Sequence, residues 1–256
     1  MSEFVEEGAT LVECRFVGGR NALLCAADFG PMFMDLYLHL GQNGVVLGGG
    51  VDEKFKLLLV ALTLHVATRP QAETCAWTLH LEDESLNLFA VAENPRGHVT
   101  GQVFTENVRA TGGNVLHAEV AGVGGERRRS SVAFRGDDIL RAAGEYYERS
   151  EQRPARYFAL GGDRFALLAA QPDCDTPWLE AAGAAEVQAL LEDNPVPPME
   201  TRLYRFLCGC SPARVAEALA PALRADLDGI FGGDSHITVT CPRCGVRHEL
   251  PRELFG

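Results

Sequence analysis

Four of the eight cysteines of this 256-residue chain fall in its last fifty residues, as Cys208-Gly-Cys210, thirty intervening residues, and Cys241-Pro-Arg-Cys244-Gly245. Two close thiol pairs are what a tetrahedral thiolate site needs. Each pair can set two sulfurs about 2.3 Å from a single Zn²⁺ without long side-chain excursions. Gly209, Pro242 and Gly245 supply the tight backbone that lets amides point at the sulfurs. The spacing therefore names Cys208, Cys210, Cys241 and Cys244 as ligands of one zinc ion. A shell of four sulfurs is closed, with no open position for a catalytic water, so the ion would hold structure together rather than hydrolyse a substrate. The same thiolates are oxidisable. Losing them would remove the ion and the fold that depends on it, so the site reads either as a brace or as a redox switch.

The flanking residues fit such a module. Ser211 precedes Pro212 as a helix cap and first residue, for a helix running to about Arg224, and Ile237–Thr240 forms a short strand feeding the second knuckle. A unit of this size, with scattered apolar residues, depends on the metal for its core.

Upstream, the pattern alternates between strand and helix. Residues 10–17 and 21–29 read as strands paired across the Gly18-Gly19 turn, and 31–40 and 51–68 as helices, the second carrying Phe55, Leu58, Leu59, Leu62 and Val66 at helical spacing. Five short β-rich segments follow at 75–82, 86–93, 98–103, 115–121 and 128–134, then a helix from Gly136-Asp137-Asp138 to about Ser150, and a strand hairpin over 155–170. The expected fold class is α+β, a mixed or antiparallel sheet covered by helices, then a helical linker and a small zinc-binding C-terminal module.

The linker stands out by composition. Residues 173–200 hold seven acids and no Lys or Arg, with five alanines between Ala181 and Ala189 and prolines at 195, 197 and 198. The apolar stripe of Trp178, Leu179, Val187, Leu190 and Leu191 is thin, so this helix is expected to be weakly anchored. The division read from the sequence is residues 1–172 as body, 173–207 as metastable acidic linker and 208–256 as the four-cysteine zinc module.

Charge narrows the partners. A formal net charge of -12, with Lys54 and Lys56 as the only lysines, disfavours binding to phosphate backbones, and residues 201–256 carry seven Arg against six acids, close to neutral. The cluster Arg127-Arg128-Arg129 reads as a solvated edge or hairpin arm. The apolar run Leu57–Ala67 is eleven residues long, short of the roughly 20 that span a bilayer, so no membrane is expected. The acidic opening MSEFVEEGAT lacks the pattern of a secretory signal, which points to a reducing cytoplasm.

Together, the C-x-C, thirty-residue gap and C-x-x-C, the flanking Phe206-Leu-Cys-Gly-Cys-Ser211 and Val239-Thr-Cys-Pro-Arg-Cys-Gly245, and the upstream Tyr146-Tyr-Glu-Arg-Ser-Glu-Gln-Arg-Pro154 resemble the thirty-three-kilodalton heat-shock family of redox-regulated bacterial chaperones. The order of body, linker and zinc module agrees. The resemblance implies an ATP-independent holdase that binds unfolding client proteins and works as an oxidised homodimer. It further implies that oxidation pairs Cys208 with Cys210 and Cys241 with Cys244, releases zinc and unfolds the linker. The acidic, thinly anchored 173–200 segment suits a region poised to unfold. Two other readings stand beside it: a constitutive binding or scaffold protein whose zinc ribbon only stabilises the tail, and a dithiol oxidoreductase using Cys241-Pro-Arg-Cys244.

Of the remaining thiols, Cys14, Cys25 and Cys75 lie in strand-like apolar runs and read as small core residues. Cys174, between Asp173 and Asp175, should have a raised pKa and is no sensor. Gly48-Gly49-Gly50 is a loop rather than a phosphate cradle. His236 and His248 flank the quartet and fit roles beside it or on the surface.

Overall fold

A computed structural model describes residues 8–122, 124–193, 197–223 and 226–255 of the chain. Residues 1–7 of the opening stretch read for a signal, Pro195, and Arg224 at the expected end of a helix lie outside the described residues.

The elements run in the order β1 (Thr10–Val17), β2 (Ala22–Asp28), α1 (Gly30–Gln42), α2 (Val51–Ala67), β3 (Thr74–Leu81), β4 (Leu86–Glu93), β5 (His98–Phe104), β6 (Asn114–Ala121), β7 (Arg127–Phe134), α3 (Ile139–Tyr146), β8 (Ala155–Ala159) and β9 (Arg164–Ala170). There follow α4 (Thr176–Ala181), α5 (Ala184–Glu192), β10 (Glu200–Phe206), α6 (Pro212–Leu223), α7 (Leu227–Phe231), β11 (His236–Thr240) and β12 (Arg247–Pro251). Ten strands form one sheet in the order β7-β6-β3-β4-β5-β10-β1-β2-β9-β8, and β11 and β12 form a separate hairpin. This is the α+β class expected from the alternating pattern.

Beyond Lys56, helix α2 is apolar on nearly every side, and a helix of that kind must be enclosed. Phe55 and the whole run Leu58–Ala67 are buried. The helix packs on β3, β4, β5 and β9 and against α3, so one core joins both halves of the sheet. His65 sits inside that core, donating or accepting at Nδ1 with the Tyr147 hydroxyl at 2.9 Å, and complete burial holds its pKa well below the usual value, so it is neutral. Helix α3 follows the Gly136-Asp137-Asp138 run as expected, and of its two aspartates Asp138 caps it: the carboxylate accepts from Arg141 N–H at 3.0 Å. Its C-terminal continuation, Tyr147–Glu151, is a single wider π turn that ends at Gln152 in the left-handed region. Arg127, Arg128 and Arg129 lie on edge strand β7, where charge discourages further strand pairing. Among the described residues no helix is long and apolar enough to cross a membrane.

Two sequence expectations change. The acidic segment is not one helix but two, α4 and α5, broken at Ala182-Gly183. They lie over the second face of β2, β8 and β9, where Leu179, Ala182 and Val187 are buried with Leu24, Phe158 and Leu168. Arg156 Nη1 donates to the carbonyls of Glu180 and Ala182, satisfying the end of α4. The second change concerns residues 200–206, read as the end of the helical linker. They form strand β10, inserted between two antiparallel half-sheets: it pairs antiparallel with β1 along Thr10–Cys14 and parallel with β5 at His98 and Val99. The arginines hid it. Arg202, on the core side of β10, donates to the carbonyls of Val66 and Arg69 at 3.1 and 2.8 Å and so closes the C-terminal end of α2, where a cation is favoured.

Candidate metal centre

β10 leads directly into the first thiol pair. Cys208 and Cys210 sit in the loop between β10 and α6, whose first turn is capped by Ser211: Arg214 N–H donates to Ser211 Oγ at 3.3 Å. Cys241 and Cys244 sit in the turn joining β11 to β12. That turn is closed by Gly245 N–H donating to the Cys241 carbonyl at 3.0 Å and Cys241 N–H donating to the Val246 carbonyl at 2.8 Å. Gly245 takes φ +77, the left-handed conformation that favours glycine, and a Cβ there would stand 3.1 Å from Gln102 Oε1.

The structure brings all four expected cysteines together, their sulfurs within 4.8 Å of one another. Contacts run between the pairs, Cys208 to Cys241 at 3.9 Å and Cys210 to Cys244 at 3.6 Å. Four sulfurs about 2.3 Å from a central ion define a tetrahedron with edges of about 3.8 Å, so this donor set fits zinc in both chemistry and size. The four cysteines can hold a metal ion. His248 places Nε2 3.2 Å from Cys210 Sγ, a position from which it orients the sulfur without replacing it; His236 instead faces Ser235 at the surface.

Among themselves the thiols share protons unequally. A hydrogen bond with Cys244 lowers Cys208 to about 5. Burial pushes Cys210 up to about 12. The hydrogen bond to Cys208, together with burial, raises Cys244 further still. Cys210 and Cys244 therefore carry protons at neutral pH, and binding a metal through all four sulfurs displaces at least those two. Acid competes with the metal and alkali favours it. Zinc affinity is expected to fall at least about 100-fold for each pH unit removed near neutrality, measured by competition with a chromophoric chelator. A slope below two protons per metal would contradict this protonation.

The quartet is also tied to the large sheet. Gln102 on β5 donates to the Pro242 carbonyl, and His39 on α1 donates through Nε2 to the Cys244 carbonyl at 3.2 Å. Arg243, between the second pair of thiols, forms an ion pair with Glu93 at the end of β4. Burial opposes ionisation of Glu93, but Arg243 and Arg96 beside it outweigh that cost and hold its carboxyl below the ordinary value. None of His39, Glu93 and Gln102 was legible as a site residue, because each lies more than a hundred residues from its partner. Cys174 behaves as its neighbours suggested, although the main cause of its raised pKa is burial, with Asp175 adding to it.

The fold and site define a class: an α+β sheet protein carrying a four-cysteine module held against α1, β5 and the end of β4. Residues 168–250 match the family model described as Hsp33 protein. A 33 kDa chaperonin of Edwardsiella ictaluri is 27% identical over 229 residues, which cover 76% of this chain and 78% of that protein. One from an Enterobacter species is 30% identical over 149 residues, 48% of this chain and about half (51%) of that protein. The crystal structure of the 33 kDa chaperonin of Thermotoga maritima superposes with a TM-score of 0.71 over 96% of both chains at 13% identity, a likeness of fold. In sequence and in fold the chain is thus similar to the 33 kDa chaperonins, the likeness its cysteine motif suggested.

Proposed function

We propose that this protein is an ATP-independent holdase of the cytoplasm, switched by the oxidation state of Cys208, Cys210, Cys241 and Cys244. The observation that carries the reading is the sulfur quartet docked through Gln102, His39 and Arg243 onto the large sheet. Zinc, when bound, supplies the cross-link that holds the thirty-residue segment between the pairs in place. Each intramolecular disulfide removes two thiolates from the quartet, and two remaining donors do not close a tetrahedral shell. With peroxide as oxidant, a thiolate gives a sulfenic acid and then, with the neighbouring thiol, a disulfide and water. The family pattern pairs Cys208 with Cys210 and Cys241 with Cys244. The seven acids of 173–200 repel one another and oppose compaction of α4 and α5 once support is withdrawn. Apolar surface released in this way would hold unfolding clients, in an oxidised homodimer.

The test follows zinc release and light scattering of a thermally unfolding client, before and after peroxide. Oxidised, zinc-free protein is expected to suppress aggregation and the reduced, zinc-loaded form to leave it unchanged. Equal protection by both forms would remove the switch and leave a constitutive binding protein with a structural zinc ribbon; turnover of a disulfide substrate would favour an oxidoreductase.

A further inference from the structure

The sequence placed Cys14 and Cys25 among ordinary core thiols. Both are buried as expected, yet they are joined by a disulfide, while the four sulfurs of the metal centre are not bonded to one another. The two residues stand directly opposite each other in the β1–β2 ladder, with Cα atoms 4.1 Å apart and both side chains on the face toward α2. Register alone makes them neighbours: the Gly18-Gly19 turn sets β1 against β2 so that Cys14 meets Cys25.

Their surroundings differ. Cys25 is completely enclosed, whereas Cys14 forms part of the wall of an open cavity of about 450 Å³, with Leu23, Ala67, Gln171, Met199 and Arg202. Cys14 also touches the start of β10 and the residue before it. Its carbonyl accepts from Met199 N–H at 2.8 Å, and it faces Glu200 in the β1–β10 ladder. When reduced, the Cys14 thiol has an acceptor in place, the Ala67 carbonyl at 3.8 Å from its sulfur.

We propose that Cys14 and Cys25 form a second redox centre, independent of the metal quartet, that exchanges with low-molecular-weight thiols through Cys14. A small thiolate entering the cavity attacks Cys14 Sγ. The Cys14–Cys25 bond breaks, its electron pair leaves on Cys25 Sγ, which takes a proton, and Cys14 is left in a mixed disulfide with the small thiol. A second small thiol attacks that mixed disulfide, freeing Cys14 as a thiol and releasing the oxidised small disulfide. The sum is one protein disulfide and two small thiols giving two cysteine thiols and one small disulfide, and the reverse closes the bond. The cavity decides which sulfur is attacked, since access selects among sulfurs of like reactivity. The site lies beside the start of β10, upstream of Cys208, so its state is read next to the acidic segment rather than at the metal. The inference does not depend on the chaperone reading.

The test equilibrates the zinc-loaded full chain with glutathione buffers of graded ratio, alkylates after acid quench, and digests with trypsin. Cleavage after Arg15 and Arg20 puts Cys14 and Cys25 on separate peptides. The two are expected to pass together between linked and doubly alkylated forms while zinc content stays constant. In Cys25→Ala, glutathione should accumulate on Cys14 at least about tenfold over enclosed Cys75; in Cys14→Ala, Cys25 should stay unmodified. Peptides alkylated at every ratio, or linked at every ratio until denaturant is added, overturn the proposal, as does a Cys25→Ala protein that takes no glutathione. The wild-type titration needs no variant to fold.

Discussion

Cys241→Ser is expected to unfold the C-terminal module while leaving the large sheet intact. Among the described residues after Leu207, the buried hydrophobic side chains are Ala216, Phe231, Cys241, Cys244 and Leu250. Two of those five are members of the quartet. Without a metal cross-link the module retains one large aromatic and one leucine, worth about 1.5–3 kcal/mol each on burial. Ordering even the sixteen residues of the β11–β12 hairpin and its turn costs on the order of 1–2 kcal/mol per residue. Structural zinc contributes roughly 10–16 kcal/mol in small zinc-dependent peptides, enough to decide the balance. A serine hydroxyl is a poor substitute for a thiolate, so the variant should hold less than a tenth of the wild-type zinc at equal free metal. Its amides from 208 onward should exchange freely while those of α2 and β4 stay protected. Trypsin should cut first after Arg214. Protection of β11 and β12 in zinc-free Cys241→Ser would show that the module has a core of its own.

The second large effect is expected far from any sulfur. Gly97 closes the turn after β4 with φ +64, and a Cβ added there would lie 2.2 Å from the Leu203 carbonyl oxygen on β10. The same turn receives β10: Arg205 N–H donates to the Gly97 carbonyl at 2.9 Å, and buried Asn94 accepts from the Tyr204 hydroxyl at 2.5 Å. Alanine would carry about 1–2 kcal/mol of left-handed strain together with roughly 1–3 kcal/mol for displaced backbone. A loss of about 2–5 kcal/mol is a large part of the roughly 5–15 kcal/mol that holds a domain together. The midpoint of urea unfolding should fall accordingly, with exchange of β10 and β5 amides accelerated most. Gly18→Ala, where nothing lies within 4 Å, is the control and should stay within about 0.5 kcal/mol of wild type. A Gly97→Ala protein as stable as that control would mean β10 is not held by this turn.

β10 also marks where the sequence stopped being legible. Seven residues with two arginines and a glutamate, next to an acidic, proline-bearing segment, carry a weak strand pattern; only the carbonyls at the end of α2 explain why Arg202 faces the core. The single linker helix failed for a related reason. Alanine propensity spoke for continuity, while the break at Ala182-Gly183 is imposed by packing of Leu179 and Val187 on the sheet. Strong local signals survived: the helix start after Gly136-Asp137-Asp138, the apolar spacing of α2, and the hairpins at Gly18-Gly19 and 155–170.

Sequence alone picked out the four cysteines that the structure brings together, because two pairs of thiols at such short spacing can meet one ion. It determined the fold class too, through the alternation of strand and helix patterns. Only the tertiary structure decided what surrounds that chemistry. Strand register made Cys14 the partner of Cys25, β10 joined two half-sheets, and His39, Gln102 and Glu93 came to face the second knuckle. Ligand spacing is a property of a few neighbouring residues. Register and docking are properties of the buried core, settled by contacts whose members lie far apart in the chain.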